Sequence, residues 1–440
     1  MRRSTSLRHA LAFAFAAVAL GGGTARAEAP PNGDDAAKIE GAPRTTYGGY
    51  VHADWVVARQ SSQNELDPST GEPLNEDRFV LRRARLKLET DQGLVHGALM
   101  VDVNTIRGPQ VRPWNAEVTL KWPPEMPYKG AAQVTQSSSD HPFFLVSTGL
   151  LMTPFGFEVP ELESDRPFLE RSTFANELFP QSYDLGLRVL GGYKFVNYAF
   201  AIMNGDPIGD KTFPGRDPNK SKDLVFRVGA SSEVFPGLRL DAGFSGVTGR
   251  GFHRGTSATK DQISWRDENG DGVVDTQELA VLPGSPATPS EGFQRFALGA
   301  DARAHVDVPV LGELTLRAEI VRAKNLDRGL FAADPVAATR DLRELGFSVS
   351  GSQELTRWSM IGVRFDSYDP DADASEQLPF VRVPRDLTRK TWAFMAMARY
   401  KKARLVAEYD RRTNRLGREA SGQPATLDDD SFTLRAVVGF

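Results

Sequence analysis

Alternation of apolar and polar residues is the feature that most constrains how this chain can fold. In "LRLDAGFSG", Leu238, Leu240 and Phe244 share one face of an extended segment, while Arg239 and Asp241 share the other. A period of two is the pattern of a strand with one apolar and one polar side. About sixteen segments of roughly nine to thirteen residues show it, which is the length that a tilted strand needs to cross a bilayer. Their approximate spans are 46–58, 78–89, 93–104, 114–122, 143–152, 183–191, 194–204, 222–233, 237–248, 292–304, 312–323, 343–354, 357–368, 389–400, 402–413 and 429–440.

The pattern predicts an all-β fold, a transmembrane antiparallel β-barrel of about 16 strands. An even count allows both chain ends to lie on one side of the membrane. Short connections such as "TDQG", "GGYK" and "VLGE" alternate with much longer ones, as expected for short periplasmic turns and long extracellular loops. One connection breaks this rule, because "PPEMPYKGAAQVTQSSSDHP" is long yet falls on the side of the short turns. Either it is an insertion, or the strand boundaries around 122–143 are misplaced.

The two ends of the chain favour export to the outer membrane. Residues 1–27 combine basic residues, a short apolar run and Ala25-Arg26-Ala27, the pattern of a cleaved signal peptide. The apolar run of about eleven residues is too short for a membrane anchor. We expect the mature chain to begin at Glu28, with a polar arm at 28–45 and the barrel at 46–440. The closing "SFTLRAVVGF" ends in Phe440, as the assembly signal of bacterial outer-membrane barrels does. The expected location is the outer membrane of a Gram-negative bacterium.

Composition excludes several function classes. Without residues 1–27 the chain keeps 57 acidic residues against 49 basic ones, a net charge of −8, which argues against a nucleic-acid partner. There is no cysteine, so neither disulfides nor thiolate chemistry hold the fold. The six histidines show no H-x-x-x-H pair, and the sequence has no G-x-S-x-G motif. We therefore expect no enzymatic activity.

Several segments resemble motifs of one porin family, and they occur in the same order along the chain as in that family. They are "RFVLRRARLKLET", "VSTGLLMTPFGFEVPELESDRPFLERS", "YDLGLRVLGG" and "YAFAIMNGD". Together they resemble the phosphate-selective porin O and P family over roughly residues 46 to 206, and the block from Thr153 to Ser172 is the most specific piece. The resemblance implies a sixteen-stranded homotrimeric porin that passes small anions, with the loop that follows the motif folded into the pore.

Strand parity gives candidate pore residues. If the apolar positions face lipid, a set of arginines points into the lumen, where the guanidinium fork suits phosphate and carboxylate. Acidic residues point inward by the same rule, so pairing of opposite charges is the simpler interpretation for any single arginine. The loop 153–182 is the better place for a constriction, because Arg166 and Arg171 flank the apolar pair Phe168-Leu169 there. We expect Arg166→Ala and Arg171→Ala to weaken anion block. The inward set is Arg83, Arg85, Arg188, Arg227, Arg239, Arg303, Arg317, Arg364, Arg399, Arg404 and Arg435, with Asp54, Asp102, Asp184, Asp241, Asp301, Glu319, Asp366 and Glu408.

The segment "DENGDGVVDTQE" at 267–278 matches the twelve-residue calcium loop D-x-[DN]-x-[DN]-G-x5-E. It lies in the longest connection, which parity places outside the cell, and no amphipathic helix flanks it. We expect a weak structural calcium site, with Kd on the order of 10⁻⁴ to 10⁻³ M, that orders this loop. The alternative is a solvated acidic loop that matches by chance. The candidate ligands are Asp267, Asn269, Asp271, Val273, Asp275 and Glu278.

Two functions of different classes remain open. The first is a passive outer-membrane porin that prefers anions such as phosphate, with membrane lipid and small anionic solutes as its partners. The second is a calcium-dependent surface-binding or adhesion protein in which a closed barrel serves only as an anchor. Loop lengths favour the porin, because no external segment reaches the size of a separate binding domain.

Overall fold

The computed structural model describes residues 44–58, 69–70, 77–106, 108–135, 139–205, 217–378, 381–419 and 422–440. The predicted signal peptide and most of the predicted arm lie outside these residues. Residues 44 and 45, expected in the arm, form the start of the first strand.

Sixteen antiparallel strands form one closed barrel, which confirms the predicted fold class and strand count. Each strand pairs with its neighbours in sequence, and the last strand pairs with the first, Arg435 lying opposite Asp54. The barrel strands are β1 (Arg44–Ala58), β2 (Asp77–Gln92), β3 (Val95–Asn104), β4 (Gln110–Trp122), β5 (Ser139–Met152), β6 (Tyr183–Lys194), β7 (Val196–Met203), β8 (Asp223–Phe235), β9 (Leu238–His253), β12 (Glu291–Val308), β13 (Gly312–Lys324), β14 (Arg343–Thr356), β15 (Ser359–Asp369), β18 (Arg389–Tyr400), β19 (Ala403–Thr413) and β22 (Ser431–Gly439).

The remaining elements belong to the connections. Among the described residues, three two-stranded hairpins lie in the longer connections between barrel strands. No helix in the described part of the chain is long and apolar enough to cross a membrane. The hairpins are β10 (Gln262–Trp265) with β11 (Leu279–Leu282), β16 (Ser375–Leu378) with β17 (Val381–Pro384), and β20 (Gly417–Arg418) with β21 (Pro424–Ala425); the short helices are Ala131–Val134, Thr173–Leu178, Pro335–Ala338 and the 3-10 turn Thr276–Glu278.

The outer wall is apolar and carries aromatic side chains near both rims. Trp122, Trp358 and Tyr400 are exposed near the short turns, while Trp392 and Tyr409 are exposed nearer the opposite rim. Such girdles mark the two levels at which a membrane meets water. The wall therefore fits a bilayer, with the short turns on the periplasmic side.

The connection that broke the length rule is an insertion that folds inward. It follows β4 and includes the helix Ala131–Val134, of which Ala131 and Val134 are buried. Tyr128 donates a hydrogen bond to Glu117, and Lys121 Nζ donates to the carbonyl of Met126 at 2.9 Å. The strand boundaries also differ from the prediction, because β4 begins at Gln110 and β5 at Ser139.

Candidate functional site

The inward charges form ion pairs along the lumen wall. Arg188 and Arg227 are among the most completely buried side chains, although each is strongly polar. A buried charge is stable only when it is paired and hydrogen-bonded. Some pairs lie within one strand, some join neighbouring strands and some reach across one strand. The pairs are Arg85–Asp102 at 3.0 Å, Arg188–Glu117 at 3.0 Å, Arg227–Asp301, Arg239–Asp241 at 3.7 Å, Arg303–Asp241 at 3.7 Å, Arg364–Asp366 at 3.2 Å, Arg399–Glu354 at 2.6 Å and Arg435–Asp54 at 2.7 Å.

Most of the arginines that parity directed inward are thus paired with carboxylates, and their role in anion passage stays a prediction. Arg239 and Arg399 differ in that more than a third of each side chain stays exposed. Asp184 is another exception, because it accepts backbone N–H groups of Leu185 and Gly205 in place of a guanidinium.

Three inward carboxylates from the wall hold the backbone of the loop 153–182, which lies inside the barrel. Glu319 Oε2 accepts from the N–H of Glu158 at 3.2 Å, and Glu408 Oε2 accepts from Leu169 at 2.9 Å. Asp366 accepts from both the N–H and the hydroxyl of Thr173, at 3.2 and 2.6 Å. An ionised carboxylate that accepts a backbone N–H makes a stronger bond than a neutral acceptor. The wall thus fixes the course of the loop across the lumen.

Arginines of the wall bind the acidic side chains of the same loop. Glu163 accepts hydrogen bonds from Arg85 and, at 3.0 Å, from the hydroxyl of Tyr50, while Arg83 Nε lies 3.2 Å from its other oxygen. Burial alone would raise the pKa of the Glu163 carboxyl, but the guanidiniums of Arg83 and Arg85 outweigh burial and hold it well below its usual range. Arg317 Nη1 donates to Glu161 at 2.6 Å.

The side chain of Glu170 is bound by three arginines of the wall. Arg82 Nε lies 3.0 Å from its carboxylate, Arg83 Nη2 donates to it at 2.9 Å and Arg435 Nη2 at 2.8 Å. Burial opposes ionisation here too, yet these three guanidiniums hold the pKa of Glu170 well below its usual range. Arg364 also donates to the carbonyl of Glu170 at 2.7 Å. Ion pairs with arginines of β2 and β22, together with a hydrogen bond from an arginine of β15, therefore join the loop to the wall.

Two β-bulges place additional side chains in the lumen. The pairing of β1 with β2 shifts between His52 and Ala53, so that Arg82 is an extra residue beside Arg83. The pairing of β3 with β4 shifts between Met100 and Val101, which makes Trp114 an extra residue. A bulge redirects side chains without ending the strand. Strict period-two parity therefore missed both Arg82 and Trp114.

These residues line a cavity of about 160 Å³ between the wall and the loop. The guanidinium of Arg85 lies 3.8 Å from the ring centroid of Trp114, and that of Arg112 lies 4.7 Å from it. Buried Nη2 of Arg85 and Nη1 of Arg171 have no hydrogen-bond partner among the described residues. Five arginines thus face three carboxylates; the charged lining consists of Arg82, Arg83, Arg85, Arg112, Arg171, Asp102, Glu163 and Glu170.

In two further lumenal cavities the basic lining residues outnumber the acidic ones. One of about 430 Å³ opens near the periplasmic turns and has a single acidic lining residue, Glu89. Another of about 270 Å³ lies towards the extracellular rim, where Arg389 and Arg412 face Asp429. The basic lining of the periplasmic cavity consists of Arg85, Lys87, Lys401, Lys402 and Arg404.

The two loop arginines singled out from the sequence occupy different places. Arg171 lines the 160 Å³ cavity, where its Nη2 donates to the carbonyl of Phe179 at 3.0 Å. Burial and the nearby Arg166 lower the pKa of Arg171 to about 10. Arg166 turns to its own loop: its Nη2 donates to the carbonyl of Glu161 at 3.4 Å, and its Nε lies 3.7 Å from that residue's carboxylate.

The calcium-type segment is an exposed external loop, bordered by the paired strands β10 and β11. Asp267 accepts from the N–H groups of Gly270 at 2.6 Å and Gly272 at 2.9 Å. Both glycines have positive φ, 76° and 72°, the tight turn that glycine allows. Glu278 reaches back to accept from Glu268 at 3.1 Å and from the Trp265 indole at 3.1 Å, and the indole bond, followed by these backbone contacts, lowers the pKa of its carboxyl.

The same loop shows how the other candidate ligands are arranged. Asn269 Oδ1 accepts from the N–H of Asp271, and Asp271 Oδ1 accepts from the N–H of Val273. Asp275 precedes the 3-10 turn that carries Glu278. Among the described residues, no three His, Asp or Glu side chains are grouped so that they could hold a metal ion. The oxygens are thus of the right type, while the calcium site stays a prediction.

Comparison with solved structures agrees with the fold. No protein-family model matches the chain, and no curated protein matches it. The outer-membrane channel DcaP of Acinetobacter baumannii is similar at a TM-score of 0.51 and 12% identity, over 90% of this chain and 97% of that one. OprB of Pseudomonas putida gives 0.51 and 12% over 91% and 94%. A loop L8 deletion mutant of OmpT, an outer membrane protein of Vibrio cholerae, gives 0.50 and 11% over 91% and 100%.

The barrel and its apolar wall define an integral protein of the outer membrane of a Gram-negative bacterium, with the fold of outer-membrane porins.

Proposed function

We propose that the protein is a passive diffusion channel of the outer membrane that prefers small anions. The observation that carries this proposal is the charge of the lumenal cavities, each of which is lined by more basic than acidic side chains. Cations that line a narrow aqueous path raise the local concentration of anions and exclude cations. Charges that are already paired in the wall contribute much less, because their fields largely cancel.

The chemistry of the 160 Å³ cavity favours oxyanions over halides. Arginine presents a planar fork that matches two oxygens of phosphate or carboxylate, and it stays charged at all physiological pH values. Arg85 and Arg171 each keep a buried donor without a partner among the described residues. An oxyanion passing between loop and wall would satisfy these donors. The resemblance to phosphate-selective porins supports phosphate as one such solute.

Reversal potential across a planar bilayer under a salt gradient tests the proposal. We expect an anion-selective sign, and block of the current by phosphate, sulfate and dicarboxylates at concentrations that scale with their charge. A cation-selective sign would contradict the anion preference. A folded barrel that carries no current would instead favour the calcium-dependent adhesion protein.

A homotrimer stays part of the proposal. The family resemblance implies it, and the mass of the detergent-solubilised protein, measured by light scattering, tests it. A monomeric mass at concentrations that give full conductance would contradict it.

A further inference from the structure

Basic side chains form an arc on the outside of the barrel at its extracellular rim. Burial along the strands alternates, and the exposed positions are the outward ones. Each member of the arc is an exposed residue near the extracellular end of its strand. The arc consists of Arg250 of β9, Arg322 of β13, Arg343 of β14, Lys390 of β18 and Arg411 of β19.

The arc lies where the apolar wall ends. Arg322 is paired on one side with Leu298 and on the other with Leu345, both exposed on the outer face. Arg411 lies opposite Trp392, one of the rim aromatics. Aromatic residues of this kind lie at the level of the lipid headgroups. The guanidiniums therefore lie at headgroup height, with aliphatic stems against apolar wall.

Most of this charge is not used inside the protein. Arg250, Arg322 and Arg411 make no hydrogen bond or ion pair with any residue that the structure describes, whereas Arg343 pairs with Asp373. The inward arginines are, in contrast, almost all bound to carboxylates. A row of cations that touches lipid and lacks protein partners has no role in holding the fold together.

The arc covers only one side of the barrel. Strands β1 to β7 carry no exposed outward Arg or Lys at their extracellular ends, as far as these strands are described. The exposed cations at this rim are therefore confined to β9–β19 among the described residues.

We propose that this arc binds the phosphorylated headgroup of lipopolysaccharide, the lipid of the outer leaflet of this membrane. Guanidinium binds phosphate through two parallel hydrogen bonds, and the neighbouring leucines and Trp392 contact the acyl chains. A free phosphate ion would use the guanidiniums but gain nothing from the apolar wall beside them. The inference does not depend on what passes through the pore.

Binding of purified lipopolysaccharide to the protein in detergent, measured by native mass spectrometry, tests this assignment. The test variant carries Arg250→Gln, Arg322→Gln and Arg411→Gln. One basic residue near an anionic lipid surface contributes about a fivefold effect, so the triple variant should bind on the order of 100-fold more weakly. The matching triple with Arg→Lys keeps the charge and should lose much less. Unchanged heat-modifiable mobility on gels confirms that each variant is folded.

The matched control removes the same charge at the opposite rim, through Arg44→Gln, Lys194→Gln and Arg357→Gln. These three residues are exposed at the periplasmic ends of the strands. We expect this control to bind lipopolysaccharide as the unmodified protein does. An equal loss in the control would show unspecific charge attraction and overturn the proposal.

Two further probes separate the sources of the negative charge. The unmodified protein should bind dephosphorylated lipopolysaccharide about as weakly as the arc variant binds intact lipopolysaccharide. Tight binding of the dephosphorylated lipid would overturn the role of phosphate. Phosphatidylglycerol should bind the arc weakly. If the arc variant loses phosphatidylglycerol as strongly as lipopolysaccharide, the surface serves any anionic lipid and the assignment is wrong.

Discussion

Arg303 of β12 donates a hydrogen bond of 3.2 Å from its Nη2 to the carbonyl of Thr135, 168 positions away in sequence. Thr135 ends the short helix of the inward segment between β4 and β5. The bond therefore joins this segment to a wall strand that is not its neighbour in the barrel.

The first prediction concerns this bond. Arg303→Gln should loosen the inward segment, because the segment loses a charge-assisted contact at its far end. We expect larger fluctuations of the open-channel current and faster tryptic cleavage after Lys129. Arg239→Gln is the matched control, since Arg239 contacts the same Asp241 at the same 3.7 Å. Equal effects of the two changes would assign the role to Asp241 instead.

The second prediction concerns Glu170, whose side chain is 29% exposed while three arginines bind it. Glu170→Gln should destabilise the seated loop by on the order of 1–3 kcal/mol and make the channel more anion-selective, because three guanidiniums lose their shared partner. Reversal potential and thermal unfolding measure the two effects. Glu89→Gln, the same charge change in the periplasmic cavity, should shift selectivity with a smaller loss of stability, because Glu89 pairs with a single lysine, Lys87, at 2.7 Å.

The pH dependence of this contact follows from the direction in which the pKa of Glu170 is shifted. A carboxyl whose pKa is lowered in the folded state stabilises that state above its unfolded pKa, near 4.3, and the stabilisation is lost as pH falls through the lower folded value. The pKa of Glu170 is lowered in this way. Selectivity should therefore stay constant from pH 7 to about 5, and a loss of selectivity centred near pH 6 would contradict the ion-pair assignment.

The third prediction separates the two arginines of the loop. Arg171 lines the 160 Å³ cavity with an unpartnered donor, whereas Arg166 faces Glu161. Arg171→Ala should weaken phosphate block by about tenfold, the effect of one charge-assisted hydrogen bond. Arg166→Ala should change it by no more than about threefold. A dose–response series of block at fixed voltage measures both, and a larger effect at Arg166 would refute the cavity as the anion path.

The fourth prediction concerns the buried Asp327 in the external loop 325–342. Its Oδ2 accepts from the Tyr368 hydroxyl at 2.5 Å. Burial, reinforced by the charge of Glu177 and countered in part by the Tyr368 hydrogen bond and by Arg389, raises the pKa of Asp327 to about 7. A raised carboxyl pKa favours the folded loop at low pH, and stability falls as pH rises from about 4 to 7. The loop should thus resist proteolysis better at pH 5 than at pH 8.

Asp327→Asn keeps an acceptor for Tyr368 and removes the titrating group. We expect the variant to show the same protection at both pH values. If the unmodified protein and the variant share one pH dependence, another group is responsible.

The fifth prediction concerns calcium at 267–278. Calcium or terbium in the millimolar range should protect this loop from proteolysis, because it would neutralise four carboxylates that repel one another. Trp265, whose indole bonds to Glu278, should sensitise terbium luminescence. Trp265→Phe should remove the luminescence but keep the protection, and Glu278→Gln should remove both. Protection that survives Glu278→Gln would exclude this loop as the site.

The sequence was sufficient to predict the barrel, because a strand with lipid on one side and water on the other must alternate, and that pattern is local. It predicted the inward direction of Arg85, Arg227 and Arg435 for the same reason. It failed at Arg82 and Trp114, since a bulge adds one residue and leaves the alternation on either side intact.

The interior segments were harder to predict because their conformation depends on distant residues. The segment after β4 has no strand pattern, and its place inside the barrel is fixed by contacts such as Arg303 with Thr135. Arg166 and Arg171 look equivalent in sequence. They differ in the structure because Glu161 is near one of them and the lumenal cavity is near the other.

The contacts of Arg435 also bear on the biogenesis of the protein. Arg435 lies on the last strand, bonds Asp54 on the first strand at 2.7 Å, and donates to the carbonyl of Leu169 and the carboxylate of Glu170. The strand that closes the barrel thus completes the seam and holds the loop with the same guanidinium. A barrel that closed around an empty lumen would leave this guanidinium without half of its hydrogen bonds, so we expect closure of the seam and insertion of the loop to be coupled.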